Sequence, residues 1–585
     1  MRLPTENSRL FLPSDRCQRL FIQTWYSRVH EASLDTYRVR SLDSLAIADE
    51  ILDSLGNPNV PLYRTKASCA EALQILSRDY ILREGWKEAT DRVLAAITVA
   101  MSGKDKDTTC PDYLSLAYHL RRLKTASGEY RGRVIQALEA ALASADENAV
   151  RSLTGRLLTR LVNEGYSLEG LFGIVANVLI RRAQPVDFRR AFDITKSKVL
   201  ANDTRHQIIV RLTGVSKSLP EKVGTIEFSQ TPFGVATATQ ESDFYQTGQR
   251  TYFARMTVFA REERSAGEAA RQDIERVLDA LRFELIHDPI SVHDEFICIP
   301  INKPAAMFRF PSTVPNPRRN IDQAEFAQFL SRLASLYISD RFSAETKSKM
   351  SSALRYYRLS LDTNQLQNRL VNSWTALEYL AKERTQDSII EGVRSNVVPL
   401  LVIPYLRNLL ADFRDTLIFI RADMPSEIAT AYSVSYYREL TLEQLLQAIR
   451  GPHFSLMQAK YTTHPALQLA LSLFREQNED NKKTATYLQR HKQNVDWHLT
   501  RLYGARNDIV HSADTSTRLT LLCANLEYYV KLSIQEVLDV ASTYEDINSL
   551  EEIFAVQRQA MHLLLSDLSS GKDDVLRASL AGAIC

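Results

Sequence analysis

The chain predicts a mainly α-helical fold: a helical N-terminal region, a small α+β unit in the middle, and an all-α helical bundle at the C-terminal end. Three observations predict it. Apolar residues recur at three- and four-residue spacing up to about residue 200 and again beyond about 320. From about 204 to 310 the period shortens toward alternation, in segments rich in β-branched and aromatic residues. A proline-dense stretch then separates that middle part from the rest. A length of 585 residues allows roughly two to four domains and more than one core. Hydrophobic content of 45% and charged content of 24% are ordinary globular values.

The elements follow in order. Residues 1–200 read as packed amphipathic helices, best seen in "DYLSLAYHLRRLKTASGEYRGRVIQALEAALASADENAVRSLTGRLLTRLVNEG". No fixed repeat period supports a solenoid. Residues 201–310 hold the strand-like runs "RHQIIVRLTGV", "VGTIEFSQT", "TYFARMTVFAR" and "DEFICIPI". Between the last two lies the amphipathic helix "SAGEAARQDIERVLDALRFEL", with Ser265 as the expected N-cap. "PINKPAAMFRFPSTVPNPRRN" concentrates Pro300, Pro304, Pro311, Pro315 and Pro317, and reads as a linker. Residues 320–585 are helical again. "SAETKSKMSSALRYYRLSLDTNQLQNRLVNSWTALEYLAKE" reads as one long helix or two in line. "NVDWHLTRLYGARNDIVHSA" and "TRLTLLCANLEYYVKLSIQEVLDVAS" read as a pair joined by "DTS", with Asp514 or Thr515 capping the second.

Charge and cysteine usage narrow the classes. With 72 basic and 70 acidic residues the net charge is +2, so any site for a polyanion must be local. The six cysteines lie far apart with no C-x-x-C pair, which fits a reducing compartment better than a disulfide framework. "MRLPTENSRLFLPSDR" is broken by charge and proline, unlike a signal peptide. The longest apolar run, "VVPLLVIPYL", spans ten residues with two prolines, too few to cross a bilayer. The expectation is a cytoplasmic chain with no membrane partner.

The chemistry concentrates in "RLYGARNDIVHSADTST". Arg506 and His511 stand five positions apart. On a continuous helix they would point about 140° away from each other, so within one chain they meet only where the helix ends or bends. "SADTST" supplies such an ending, leaving His511 in a last turn where the helix dipole favours a cation. An imidazole moves protons near neutral pH, and a guanidinium grips phosphate oxygens through its planar fork, so the pair suits phosphodiester chemistry. The plainer reading makes His511 a helix-end cap and gives Arg506 an acid partner such as Asp508 or Glu527.

"ARNDIVHSA", preceded by "WHLTRLYG" and followed by an apolar helix, resembles the signature of the HEPN superfamily of all-α domains. "RLVNSWTALEYLA" resembles the first helix of its ApeA-like branch. The resemblance covers about residues 320–545, with an enlarged insertion at about 386–490; nothing before about 300 resembles a known family. It implies a metal-independent endoribonuclease without cofactor, working as a homodimer on RNA, of the kind found in anti-phage defence, abortive infection and toxin–antitoxin systems. It implies that Arg506 binds the phosphate and transition state, that His511 transfers the proton, and that Asn507 orients the histidine or the phosphate. Attack by the ribose 2′-OH needs a base, an acid and charge stabilisation at phosphorus, and a two-fold axis supplies a second copy of each group. Glu378 either buttresses Arg506 across the bundle or is an exposed helix residue. Asp508 counts as a supporting residue.

Residues 1–200 then read as a sensor or regulatory region answering a phage-derived trigger or a protein partner. The alternatives are a catalytically silent HEPN scaffold or binding module, and the toxin of a toxin–antitoxin pair. Arg501, Arg318 and Arg319 are candidate RNA contacts, as are Arg181, Arg182, Arg189, Arg190 and Arg309, though such arginines are commonly the solvated faces of helices. Tyr356, Tyr357 and Trp374 fit core packing better than base stacking. "IHDPISVHDEF" gathers His287, Asp288, His293, Asp294 and Glu295, but its spacing matches no common metal site. "SGKDKD" and "SSGKDD" lack the upstream glycine of a P-loop.

Overall fold

The computed structural model describes residues 1–4, 12–102, 110–180, 187–234, 243–284, 290–301, 304–310, 323–382, 388–512 and 519–582. The protein is mainly α-helical with one six-stranded antiparallel sheet. It divides into two compact units: Met1–Glu6, Pro13–Arg156 and Pro315–Cys585 in one, Asn7–Leu12 and Leu157–Val314 in the other. This differs from the expected three-part division. The N-terminal helices share a unit with the C-terminal bundle, and the boundary falls after residue 156 rather than near 200. Helical periodicity shows which face is apolar, not which distant element covers it.

In the second unit the sheet runs β2-β3-β4-β1-β5-β6. Its strands are β1 (Thr204–Thr213), β2 (Lys222–Val223), β3 (Ile226–Ser229), β4 (Thr251–Ala260), β5 (Ser291–Pro300) and β6 (Ala306–Arg309). Alternation sorts the side chains: Ile208, Val210, Leu212, Met256 and Phe296 face the helix Glu263–Glu284, which presents Ala266, Ala270, Ile274 and Leu278. Ile209, Phe253 and Ile297 pack with Phe244 in a second cluster. The Glu263–Glu284 helix approaches so closely that a Cβ on Gly267 would stand 2.2 Å from Phe296 Cζ. Its start corrects the expected cap. The Glu262 carboxylate accepts from the backbone N–H of Arg264 and Ser265, each at 2.8 Å, and the Ser265 hydroxyl donates to Glu262 O at 3.0 Å. Part of the expected linker is also a strand. Ala306–Arg309 pairs with β5 at the sheet edge, where flanking prolines are tolerated, and Phe308 and Phe310 lie 5.7 and 4.5 Å from the Phe296 ring.

In the first unit, "SAETKSK…YLAKE" forms two helices, Ala344–Asp362 and Leu366–Ala381, side by side rather than in line: the Tyr356 and Tyr379 rings stack at 5.2 Å. Leu366–Ala381 buries Leu370, Trp374, Leu377 and Ala381 at spacings of four, three and four. Trp374 is fully buried beside Tyr503, with ring centroids 5.3 Å apart, so it is core; truncating such a residue costs about 3–5 kcal/mol. Leu519–Thr543 is buried on most sides, as a central helix must be. The Trp374–Tyr503 contact makes the two segments paired by the family resemblance neighbours, and the Leu519–Thr543 helix packs against the earlier of them. Arg369 of the earlier helix forms a buried ion pair with Glu527, and Cys523 Sγ donates to Leu366 O at 3.3 Å. The apolar run around Pro399 belongs to a longer stretch than expected. Ile389–Phe419 is long and apolar enough to cross a membrane by length and composition, and 72% of its apolar window is buried inside the protein.

Candidate active site

Arg506 and His511 lie on one uninterrupted helix, Asn481–Ser512. Asp480 starts it, accepting from Lys483 N at 2.8 Å. No proline or glycine follows Gly504 before the helix ends, so nothing bends the backbone between the two candidates. The expected convergence at a helix break within one chain is thus corrected: they point about 140° apart. His511 does occupy the last turn and is exposed. Asp514 and Thr515, the expected caps of the next helix, lie outside the described residues.

The charges along this helix divide sharply. Asp508 accepts both forks of Arg64, at 2.9 and 2.6 Å, from the helix Leu62–Ser77. Gly504 makes room for that guanidinium, since a Cβ there would meet Arg64 Cζ at 2.5 Å. Arg501 is 9% exposed; it donates to Glu50 Oε2 at 2.8 Å and pairs with Glu71. Burial alone would lower the Arg501 pKa, but the two carboxylates reverse this and raise it. Burial likewise pushes the Glu50 carboxyl up, while Arg501 and the Ser68 hydroxyl more than offset it and hold it below its ordinary value. Arg501 is therefore locked inside the fold, which corrects its assignment as an RNA contact.

Arg506 is different. Among the described residues it has no carboxylate partner, because Asp508 is held by Arg64 and Glu527 by Arg369. Its Nη1 donates to Asn507 Oδ1 at 3.0 Å, and its buried Nε has no hydrogen-bond partner. Asn507 thus steadies the arginine fork, rather than the histidine. Glu378 does not buttress Arg506; its ion partner is Lys382 at 4.0 Å on its own helix. One turn before Arg501, His498 is buried against the Tyr529 hydroxyl at 2.9 Å. Burial, aided by the Arg501 charge, lowers its pKa to about 3.

The remaining candidates scatter. Arg318, Arg319, Arg181, Arg182, His287 and Asp288 lie outside the described residues. Arg189 and Arg190 are exposed at the start of the helix Phe188–Leu200. Arg309 pairs with Glu295 at 3.1 Å, and His293 Nδ1 accepts from the Glu295 backbone at 3.1 Å. A shallow pocket bordered by Lys482, Lys483, Tyr487 and Arg490 opens on the first half of the Asn481–Ser512 helix, not beside Arg506.

The sequence carries no signal for Arg64, Glu50 or Glu71, which meet the motif helix across 430 to 451 residues of chain. The buried, carboxylate-clamped Arg501 beside an unclaimed Arg506 is the distinguishing feature of the site. Searches of family models, curated proteins and solved structures find nothing that matches this chain.

Proposed function

We propose that the chain is a metal-independent endoribonuclease of the HEPN type, cutting RNA through attack by its own 2′-OH. The observation that carries this reading is the Arg506 guanidinium, which among the described residues has no carboxylate partner, Asp508 and Glu527 being held by Arg64 and Arg369. An unpaired arginine fork steadied by an asparagine is suited to a phosphate, and an exposed imidazole at the helix end is suited to proton transfer. Because the two diverge on a continuous helix, the working centre in this reading is shared between two copies across a two-fold axis, each copy offering Arg506 and His511. The cellular role we assign is a cytoplasmic anti-phage effector, with the N-terminal helices, clamped to the motif helix through Glu50, Arg64 and Glu71, as the regulatory element.

The test uses the full chain, since a fragment without the N-terminal helices would strip Arg501 and Asp508 of their partners. Total RNA incubated with the protein in EDTA should be cut, leaving 2′,3′-cyclic phosphate ends, and Arg506→Ala and His511→Ala should each abolish cutting. Equal cutting by wild type and variants would refute the assignment. The divergence of the two side chains within one chain favours one other reading, a silent RNA-binding module. That module would bind RNA equally well with and without His511.

A further inference from the structure

Six arginines gather in the first unit at a place the nuclease reading does not use. Arg28, near the end of the helix Arg16–Val29, donates from Nη1 to Arg38 O at 3.0 Å, which places it beside the segment carrying Arg40. Its guanidinium lies on the helix Glu147–Asn163, where a Cβ on Gly155 would stand 3.3 Å from Nη2. Arg151, four residues before Gly155, shares that face, and Arg156 follows it. Arg156 pairs with Asp79 at 2.9 Å and donates to the carbonyl of Arg78, the C-cap of Leu62–Ser77. That helix runs antiparallel to the motif helix: Arg64 meets Asp508 and, seven residues on, Glu71 meets Arg501, seven residues back. Seven more residues bring Arg78 level with Asn494, about one turn from Arg490.

The acids near this cluster are already engaged: Glu71, which acts on Arg40, is paired with Arg501. Asp79 is already engaged by Arg156 and by the Tyr130 hydroxyl at 2.7 Å. Among the described residues Arg40, Arg78, Arg151 and Arg490 have no ion pair and no side-chain hydrogen bond. Burial, and after it the neighbouring arginines, lowers the pKa of Arg28, to about 9, and of Arg40 and Arg78. Arg40 and Arg78 nonetheless remain exposed to solvent. An anion arriving from solvent can therefore reach them. Like charges held together there cost free energy unless an anion occupies the space. Arginine forks match phosphate oxygens, and arginines gathered from four chain segments suit adjoining phosphates better than the extended spacing of a nucleic-acid backbone.

We propose that Arg28, Arg40, Arg78 and Arg151, bordered by Arg156 and Arg490, bind a ligand carrying several adjoining phosphates, such as a nucleoside triphosphate, free or at the 5′ end of an RNA. Arg490 lies sixteen residues, about 24 Å of helix, from Arg506, and the proposal does not rest on the nuclease reading. Calorimetric titration of the full chain with inorganic tripolyphosphate, ATP, GTP, and one RNA bearing either a 5′-triphosphate or a 5′-hydroxyl tests it. The triphosphate probes should bind, and the pair Arg40→Gln and Arg151→Gln should weaken them by about tenfold or more. Tighter binding of the free nucleotides or of the triphosphorylated RNA identifies the source. Removing repelling charges should leave the ligand-free thermal midpoint unchanged or higher, as removal of a structural ion pair would not. No binding of any triphosphate probe by wild type, undiminished binding by the double variant, or a lowered ligand-free midpoint would each overturn it.

Discussion

Two arginines five residues apart on one helix should respond to the same substitution in opposite ways. Arg501→Met removes a guanidinium that Glu50 and Glu71 both hold inside the fold, and leaves two carboxylates with little solvent. Breaking such a buried arrangement from one side costs about 3–5 kcal/mol. Arg506→Met gives up one hydrogen bond to Asn507, worth about 0.5–1.5 kcal/mol, and relieves a buried Nε without a partner, which had cost about 1–3 kcal/mol. Its net effect should fall between neutral and slightly stabilising, so the variants should differ by at least about 3 kcal/mol. Urea denaturation followed by far-ultraviolet circular dichroism measures the difference, and RNA cutting by the same preparations measures the function. The stable variant, Arg506→Met, should be the one that no longer cuts RNA. If it unfolds as readily as Arg501→Met, its guanidinium is structural; if it is stable and cuts RNA at the wild-type rate, Arg506 does not serve the reaction.

The native His498 imidazole stays neutral down to about pH 3, whereas an unfolded one titrates near 6.5; the unfolded chain therefore binds the extra proton between those values, and stability falls as pH drops through that window. The loss should be roughly 3 kcal/mol at pH 4, and His498→Gln should flatten that part of a plot of urea midpoint against pH; an identical plot would count against the assignment. Gly267→Ala should destabilise by about 1–3 kcal/mol despite the better helix propensity of alanine, because Phe296 blocks the new methyl, and a raised midpoint would contradict that packing. Arg64→Met and Asp508→Ala should each destabilise, with a coupling of about 1 kcal/mol in a double-mutant cycle, and additive effects would show the pair to be inert.

What the sequence made legible was local. Period-two runs located β1, β4 and β5 because one residue in two faces a covering helix, and the period-3.6 runs located the bundle helices. Phe308 was hidden because an edge strand of four residues among prolines looks like linker. The helix break between Arg506 and His511 was expected from the hydroxyl-rich segment after them, but the helix runs on to Ser512 because nothing before it competes with backbone pairing. Arg501 and Arg506 look alike in sequence. Only the arrival of Glu50 and Glu71 from the far end of the chain makes one a core ion pair, while the other has no carboxylate partner among the described residues.

That continuity bears directly on how the proposed reaction would be organised. If one chain cannot bring Arg506 to its own His511, each centre must draw the guanidinium from one copy and the imidazole from the other. Arg506→Ala and His511→Ala chains, each inactive alone, should then complement when mixed under conditions that allow exchange. In a mixed dimer one centre loses both groups and the other keeps both. Random exchange makes half the dimers mixed with one working centre of two, so activity should approach about one quarter of wild type. A centre built within one chain gives no recovery at any ratio, because every copy then lacks one of its two groups. Recovery in the mixture, with none in either parent, would place the imidazole opposite the guanidinium across a two-fold axis, the arrangement that a straight helix requires.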